Sequence, residues 1–65
     1  MQIILNGSPH KLDKAITVSE LLADLELNGR LAVEINQQII PRSLFNERKL
    51  NQGDNVEIVH AIGGG

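Results

Sequence analysis

Residues 17–25 have the pattern of one amphipathic helix, and the rest of this short chain has to build a surface that covers it. Thr17 and Glu20 fit a capping box, in which each side chain accepts a hydrogen bond from the other residue's backbone N–H. We expect the helix to begin after Thr17 and to end at Asn28-Gly29. The i, i+3, i+4, i+7 spacing places four aliphatic residues on one face: Val18, Leu21, Leu22 and Leu25.

The segments before and after this helix have the composition of strands separated by turns. Asn6-Gly7 begins a turn after an apolar start, a second turn lies over 36–38, and a third lies over 52–55. Pro41 ends the strand before it or confines that strand to an edge of the sheet, and a short helical turn is expected within 42–50. The predicted strands are residues 1–5, 10–12, 31–35, 39–40 and 56–62.

This order of elements predicts an α+β domain with one helix packed on one face of a mixed sheet of four or five strands. The first and last strands are the most hydrophobic, so we expect them to lie centrally and in parallel. Such an arrangement is the β-grasp, or ubiquitin-like, fold. We predict one domain over 1–62, followed by a flexible glycine tail over 63–65.

The composition excludes several classes of function. The chain has 65 residues and no cysteine, which excludes disulfides, thiolate nucleophiles and cysteine-ligated zinc. Phe45 is its one aromatic residue and the net charge is −2, which argues against a nucleic-acid partner. The sequence shows neither a secretory leader nor an apolar run of the roughly 20 residues that cross a bilayer, so we expect a cytoplasmic protein.

No residues of the chain form a recognisable catalytic or metal-binding pattern. His10 and His60 lack a nucleophile and an orienting carboxylate at a known spacing, and the eight acidic residues are scattered. We therefore expect no catalytic residue, no metal and no cofactor bound by the chain itself.

The glycine end remains as the candidate for chemistry. Gly7, Gly29 and Gly53 are each explained by a turn or a helix end, whereas the three terminal glycines have no such structural task. A carboxylate at the end of a tail without β-carbons can enter a narrow channel in another protein. We therefore predict that Gly65 carries the reactive group and that Gly64 and Gly63 give access to it.

A docking surface is expected on the sheet face that the helix leaves uncovered. If Val56 and Ile58 point inward, strict alternation places their neighbours in the last strand on the opposite face, and Ile4 of the first strand has the same phase. His60 adjoins the tail and is a further candidate for contact with a partner. The alternative, that these are scattered exposed aliphatics without a role, stays open. The candidate docking residues are Ile4, Glu57, Val59, His60 and Ala61.

Several short motifs, taken together, resemble one family over essentially the whole chain. They are the start Met1-Gln2-Ile3, the helix start over 17–20, the segment Ile35-Asn36-Gln37-Gln38-Ile39-Ile40-Pro41-Arg42, Gly53-Asp54 and the terminal glycines. In this order and spacing they resemble the thiamine-pathway sulfur carriers, the ThiS family. The family pattern requires only two terminal glycines, so Gly63 departs from it mildly.

This resemblance implies a protein co-substrate, not an enzyme. An E1-like partner, ThiF, would adenylate the Gly65 carboxylate with ATP, and sulfur from a desulfurase or rhodanese-type protein would then replace the adenylate. The resulting thiocarboxylate would supply sulfur to thiazole synthase, ThiG. Three alternatives stay open: a molybdopterin-synthase-type carrier, a ubiquitin-like modifier, and a β-grasp interaction module whose tail has no role.

Overall fold

The computed structural model describes residues 1–60, which form a five-stranded mixed sheet with one helix packed on it. The strand order is β2-β1-β5-β3-β4, so the last strand is central. β1 and β5 are parallel, whereas the other neighbouring pairs are antiparallel. The predicted β-grasp architecture is confirmed. The elements are β1 (Gln2–Leu5), β2 (Ser8–Lys11), α1 (Val18–Asp24), β3 (Leu31–Ile35), β4 (Gln38–Ile40), a 3-10 turn (Arg42–Leu44) and β5 (Asn55–His60).

The helix α1 begins where the capping box predicts. The Glu20 N–H donates to the Thr17 hydroxyl at 3.1 Å, and the Thr17 N–H donates to the Glu20 carboxylate at 2.8 Å. These two groups satisfy donors that would otherwise lack a partner at a helix start. The hydrogen bond from the Thr17 backbone N–H, assisted by that from its hydroxyl, lowers the pKa of Glu20 below its ordinary value of 4.5.

The predicted helix end at Asn28-Gly29 is wrong, because α1 ends at Asp24. Glu26 takes a left-handed conformation with φ of 57°. Its N–H donates to the Ala23 carbonyl at 3.0 Å, and the Leu27 N–H donates to the Leu22 carbonyl at 2.9 Å. This pattern is a Schellman motif built on a residue other than glycine. Ending the helix here turns Leu27 back against the core, and that packing offsets the backbone strain.

Two hairpins have two-residue turns with positive φ at both positions. Asn6-Gly7 joins β1 to β2, and Asn36-Gln37 joins β3 to β4. Because the first turn is this tight, Ser8 pairs directly with Leu5, and β2 begins two residues before the predicted 10–12. The edge position of the strand before Pro41 is confirmed. The predicted turns over 36–38 and 52–55 are each one residue too long, because Gln38 already belongs to β4 and Asn55 to β5.

The core lies between α1 and the sheet. The connection from β4 to β5 closes one end of it, because the Val18 N–H donates to Arg48 O and the Ser19 N–H donates to Phe45 O, each at 2.9 Å. The buried hydrophobic residues are Ile3, Leu12, Ile16, Val18, Leu21, Leu22, Leu31, Val33, Ile35, Phe45, Leu50, Val56 and Ile58. Leu25, the fourth residue of the predicted stripe, is half-buried against them.

Candidate functional site

The candidate reactive end follows the central strand of the sheet. Gly63, Gly64 and Gly65, together with the docking candidate Ala61, lie outside the described residues. The last described residue, His60, is the end of β5. The geometry of the site is therefore the geometry of β5 and of the strands that hold it.

Two asparagine side chains from the hairpin turns fix β5 on its two sides. Asn6 accepts a hydrogen bond from the Ile58 N–H at 2.8 Å and donates to the Ile58 carbonyl at 3.3 Å. Its amide thus continues the β1–β5 ladder beyond the last residue of β1. On the other side, Asn36 accepts from the Asn55 N–H at 2.9 Å. Sequence reasoning found both turns but missed these contacts, since they depend on which strand lies beside each turn.

A buried carboxylate holds the start of β5. Asp54 is 7% exposed, and its two oxygens accept from Asn36 Nδ2 at 3.0 Å and from the Asn51 N–H at 2.8 Å. A buried carboxylate is tolerated when hydrogen bonds replace its hydration. The Asp54 carbonyl also accepts from the Ile4 N–H at 2.9 Å, so this residue joins β5 to β1 as well as to the β3–β4 turn.

The sheet surface opposite α1, here called the open face, contains most of the predicted docking residues. Val56 and Ile58 are buried under α1, which confirms their predicted inward phase. Glu57 and Val59 therefore lie on the open face, where both are exposed. His60 is also exposed, but it has the inward phase of Ile58 and lies at the rim of the helix side.

The predicted patch of Ile4 and Val59 is not continuous. Ile4 is half-buried and pairs with Asn55, which is four residues before Val59 in the parallel neighbouring strand. Four residues of a strand span about 13 Å, so these two side chains are not in contact. Glu57 occupies the level between them.

The actual neighbours of Val59 and Glu57 come from β3 and β4. Val59 lies directly opposite Ala32, Glu57 lies opposite Glu34, and Glu34 in turn lies opposite Ile39. Ile39 is 75% exposed and Val59 is 59% exposed. Ala32, Glu34 and Ile39 were not predicted as docking residues, although the alternation over 31–35 already placed the first two opposite the buried phase. What was missing was the register between β3 and β5.

The open face is a surface and not a cavity. Residues 1–60 enclose no detectable pocket, and they contain no group of three histidine or acidic side chains placed to hold a metal ion. Within the same described part of the chain, α1 is too short to span a membrane, and no other helix has the length and apolar character to do so.

Comparison with known proteins identifies the family. The ThiS family model matches residues 3–65. The chain is 40% identical to the sulfur carrier protein ThiS of Bacillus subtilis over 94% of the chain and 96% of that protein, and 35% identical to that of Escherichia coli over the full length of both. A crystal structure of the thiamine biosynthesis protein ThiS from Geobacter metallireducens matches with a TM-score of 0.89 at 32% identity, with both chains fully covered.

A second kind of relative is much longer. The thiazole synthase of Paramagnetospirillum magneticum is 39% identical over 66 aligned residues, and the chain covers 20% of that protein. The thiazole synthase of Magnetococcus marinus is 38% identical, again with 20% of its length covered. A domain like this one thus forms about a fifth of some thiazole synthases. From the family match over residues 3–65 and the full-length relatives, the chain belongs to the ThiS family.

Proposed function

We propose that this chain is a sulfur carrier for the thiazole ring of thiamine and that it carries the sulfur on its Gly65 carboxylate. The observation that supports this most directly is the family match, which extends through the glycine end at residue 65. The named sulfur carriers of the family match over nearly their whole length. The chain then acts as a protein co-substrate that partner enzymes modify.

The chemistry follows from the weak electrophilicity of a carboxylate. An E1-like adenylating partner joins Gly65 to the α-phosphate of ATP and releases pyrophosphate, which converts a carboxylate oxygen into part of a good leaving group. The outer sulfur of a persulfide on a donor of the desulfurase or rhodanese class then attacks the carbonyl carbon and AMP departs, which leaves an acyl disulfide between Gly65 and the donor. A second thiol attacks the donor-side sulfur, forms a new disulfide with it and releases the sulfur that stays on Gly65. The product is a thiocarboxylate with one carboxylate oxygen replaced by sulfur.

Glycines suit this exchange for a physical reason. Gly64 and Gly63 present no β-carbon, so they adopt backbone angles that other residues avoid and fit a narrow channel. Ordering each tail residue costs about 1–2 kcal/mol, so the affinity for a partner has to come mostly from the folded domain. A carrier that visits successive enzymes needs such a separation between a binding surface and a reactive end.

Thiazole synthase is the partner that we propose as the acceptor of the sulfur. Two relatives named thiazole synthase include a domain similar to this chain within a longer protein. A carrier joined to its acceptor in one polypeptide has a high effective concentration at the acceptor site. A carrier that is a separate chain would need a docking surface to bring its reactive end to the acceptor site.

Intact mass spectrometry tests the proposal. The purified chain is incubated with the adenylating enzyme of the same organism, ATP and a sulfur donor, and the expected product has the mass change of one oxygen replaced by sulfur. A variant that lacks both Gly64 and Gly65, and so ends in a single glycine, is the control and stays unmodified. The proposal is wrong if the full chain also keeps its mass under conditions in which ATP is consumed.

Complementation tests the pathway. Expression of the chain in a strain without its own ThiS-family carrier should restore growth without thiamine, and the variant lacking both Gly64 and Gly65 should not. Rescue of a strain deficient in molybdenum cofactor, with no rescue of the thiamine auxotroph, would instead assign the chain to molybdopterin synthesis.

A further inference from the structure

Two glutamates of the open face lie side by side, and no basic side chain among residues 1–60 lies opposite either of them. Glu34 of β3 and Glu57 of β5 are direct partners in the antiparallel register. Directly opposite residues have Cβ atoms about 5 Å apart, and like charges in this arrangement destabilise the sheet. The pair therefore costs the isolated domain some stability.

The described part of the chain offers nothing that offsets this cost. Within residues 1–60, no hydrogen bond or ion pair reaches either carboxylate. Lys11 shares the open face, but it pairs with Gln2 on the far side of β1, and β1 separates it from β5. Two adjacent like charges that no opposite charge within the domain neutralises are expected at a site where the protein contacts a partner.

Exposed apolar groups lie next to the two glutamates. Val59 and Ala32 form the neighbouring cross-strand pair on one side, and Ile39 lies opposite Glu34 on the other. Exposed aliphatics in a cluster mark a surface that a partner can dehydrate. The two carboxylates are therefore bordered by apolar side chains. A partner surface complementary to this arrangement has one basic side chain surrounded by apolar side chains.

We propose that the open face docks thiazole synthase and that an arginine of the synthase inserts its guanidinium between Glu34 and Glu57. This inference rests on the proposed function and names the surface and the chemistry that the acceptor enzyme recognises. A planar guanidinium with five N–H donors can serve two adjacent carboxylates at once, whereas a lysine ammonium is a single compact charge. Val59, Ala32 and Ile39 then pack against apolar side chains around that arginine.

The same charges exclude a second copy of this chain as the occupant. Two open faces packed symmetrically would bring four carboxylates together in a desolvated interface, and like-charge contacts of this kind cost several kcal/mol. The acidic pair therefore selects a basic partner over self-association.

Calorimetric titration tests this assignment. The thiazole synthase of the same organism is titrated with the wild-type chain, with a double variant Glu34→Gln and Glu57→Gln, and with a control variant Glu47→Gln. Glu47 is exposed in the connection that packs at the start of α1, away from the open face. We expect the double variant to bind about tenfold more weakly or worse, because the buried arginine loses its counter-charges. Its binding should also depend less on salt, while the control should bind like the wild type.

Chemical modification identifies the partner group. Phenylglyoxal labels arginines of the synthase, and mass mapping should find one that the wild-type chain protects and the double variant leaves reactive. Urea unfolding of the double variant confirms that it is folded. The inference is overturned if the double variant binds as tightly as the wild type, if no arginine is protected, or if a chelator abolishes binding and so indicates a bridging metal ion.

The outcome is separate from that of the proposed function. Thiocarboxylate formation at Gly65 is read by intact mass on the wild-type sample, where it should proceed. A wild type that acquires sulfur but binds equally well with or without the two carboxylates refutes only the docking inference. A wild type that never acquires sulfur refutes the proposed function itself.

Discussion

On the face of the sheet under α1, Val33, Ile35 and Val56 are at most 1% exposed. On the open face, Ile39 of β4 and Val59 of β5 are 75% and 59% exposed. The alternation of a strand sends neighbouring residues to opposite faces, so β3 and β5 contribute to both surfaces. The comparison teaches that one set of strands has two different surfaces: the covered face holds the domain together, and the open face leaves apolar side chains available for contact with a partner.

The largest difference between the faces should appear when one apolar side chain is truncated on each. Leu21 of α1 is fully buried against the sheet, so Leu21→Ala should lower the free energy of unfolding by about 2–5 kcal/mol through lost burial and a residual cavity. Val59→Ala on the open face should change it by less than about 0.5 kcal/mol. Urea denaturation monitored by circular dichroism measures both. Similar losses from the two variants would show that the faces do not differ in this way.

Asp54 is the polar exception on the covered side, and its removal should have the next largest effect. Asp54→Ala removes two part-buried hydrogen bonds, from Asn36 Nδ2 and from the Asn51 N–H, and hydrogen bonds to a charged group contribute about 1.5–3 kcal/mol. Asp24→Ala, which removes an exposed carboxylate at the end of α1, is the matched control and should be close to neutral. Equal stability of the two variants in urea would mean that the network around Asp54 contributes nothing.

The covered face was the more predictable of the two, because its signals are local. Both signals lie within one segment of the chain. The pair Thr17 and Glu20 predicts where α1 begins, and the spacing of Val18, Leu21 and Leu22 predicts that it packs on a core. The end of α1 was mispredicted because a left-handed Glu26 is rare, and only packing of Leu27 explains it.

The open face was predicted only in part, because its neighbours come from three strands. Alternation identifies which residues of β5 face outward, but it does not say which residues of β3 lie beside them. Ile4 and Val59 share a phase and are nonetheless far apart, whereas Glu34 and Glu57 are adjacent through a register that no local signal gives. The predicted reactive glycines lie outside the described residues, so they stay a prediction.

The pH dependence of stability tests the charge of Glu20 at the start of α1, the helix that covers the sheet. Because the folded state lowers the pKa of Glu20, its charge stabilises the fold at pH values above the ordinary value of 4.5, and this contribution is lost as the pH falls through the lowered folded value. We expect the wild type to melt at a higher temperature than Glu20→Gln at neutral pH. Thermal unfolding from neutral pH down to acid should show the difference shrinking below pH 4.5. A difference that stays constant with pH would show that the carboxylate charge is not its source.

The smallest effect on stability, and the one that separates the faces most clearly, is expected at Glu57. Replacing it with glutamine removes the repulsion with Glu34 across the strands, so Glu57→Gln should raise the free energy of unfolding by a few tenths of a kcal/mol, roughly the size of a cross-strand pair term. Glu47→Gln, an exposed change of the same chemistry without a facing acid, should leave it unchanged. Parallel urea titrations at low salt resolve such a difference, and added salt should reduce it because exposed charges are screened.

A gain in stability combined with weaker binding to thiazole synthase would mean that the open face retains a charge arrangement that opposes folding and serves docking. A loss of stability in Glu57→Gln would instead mean that Glu57 supports the fold, and the open face would then resemble the covered one.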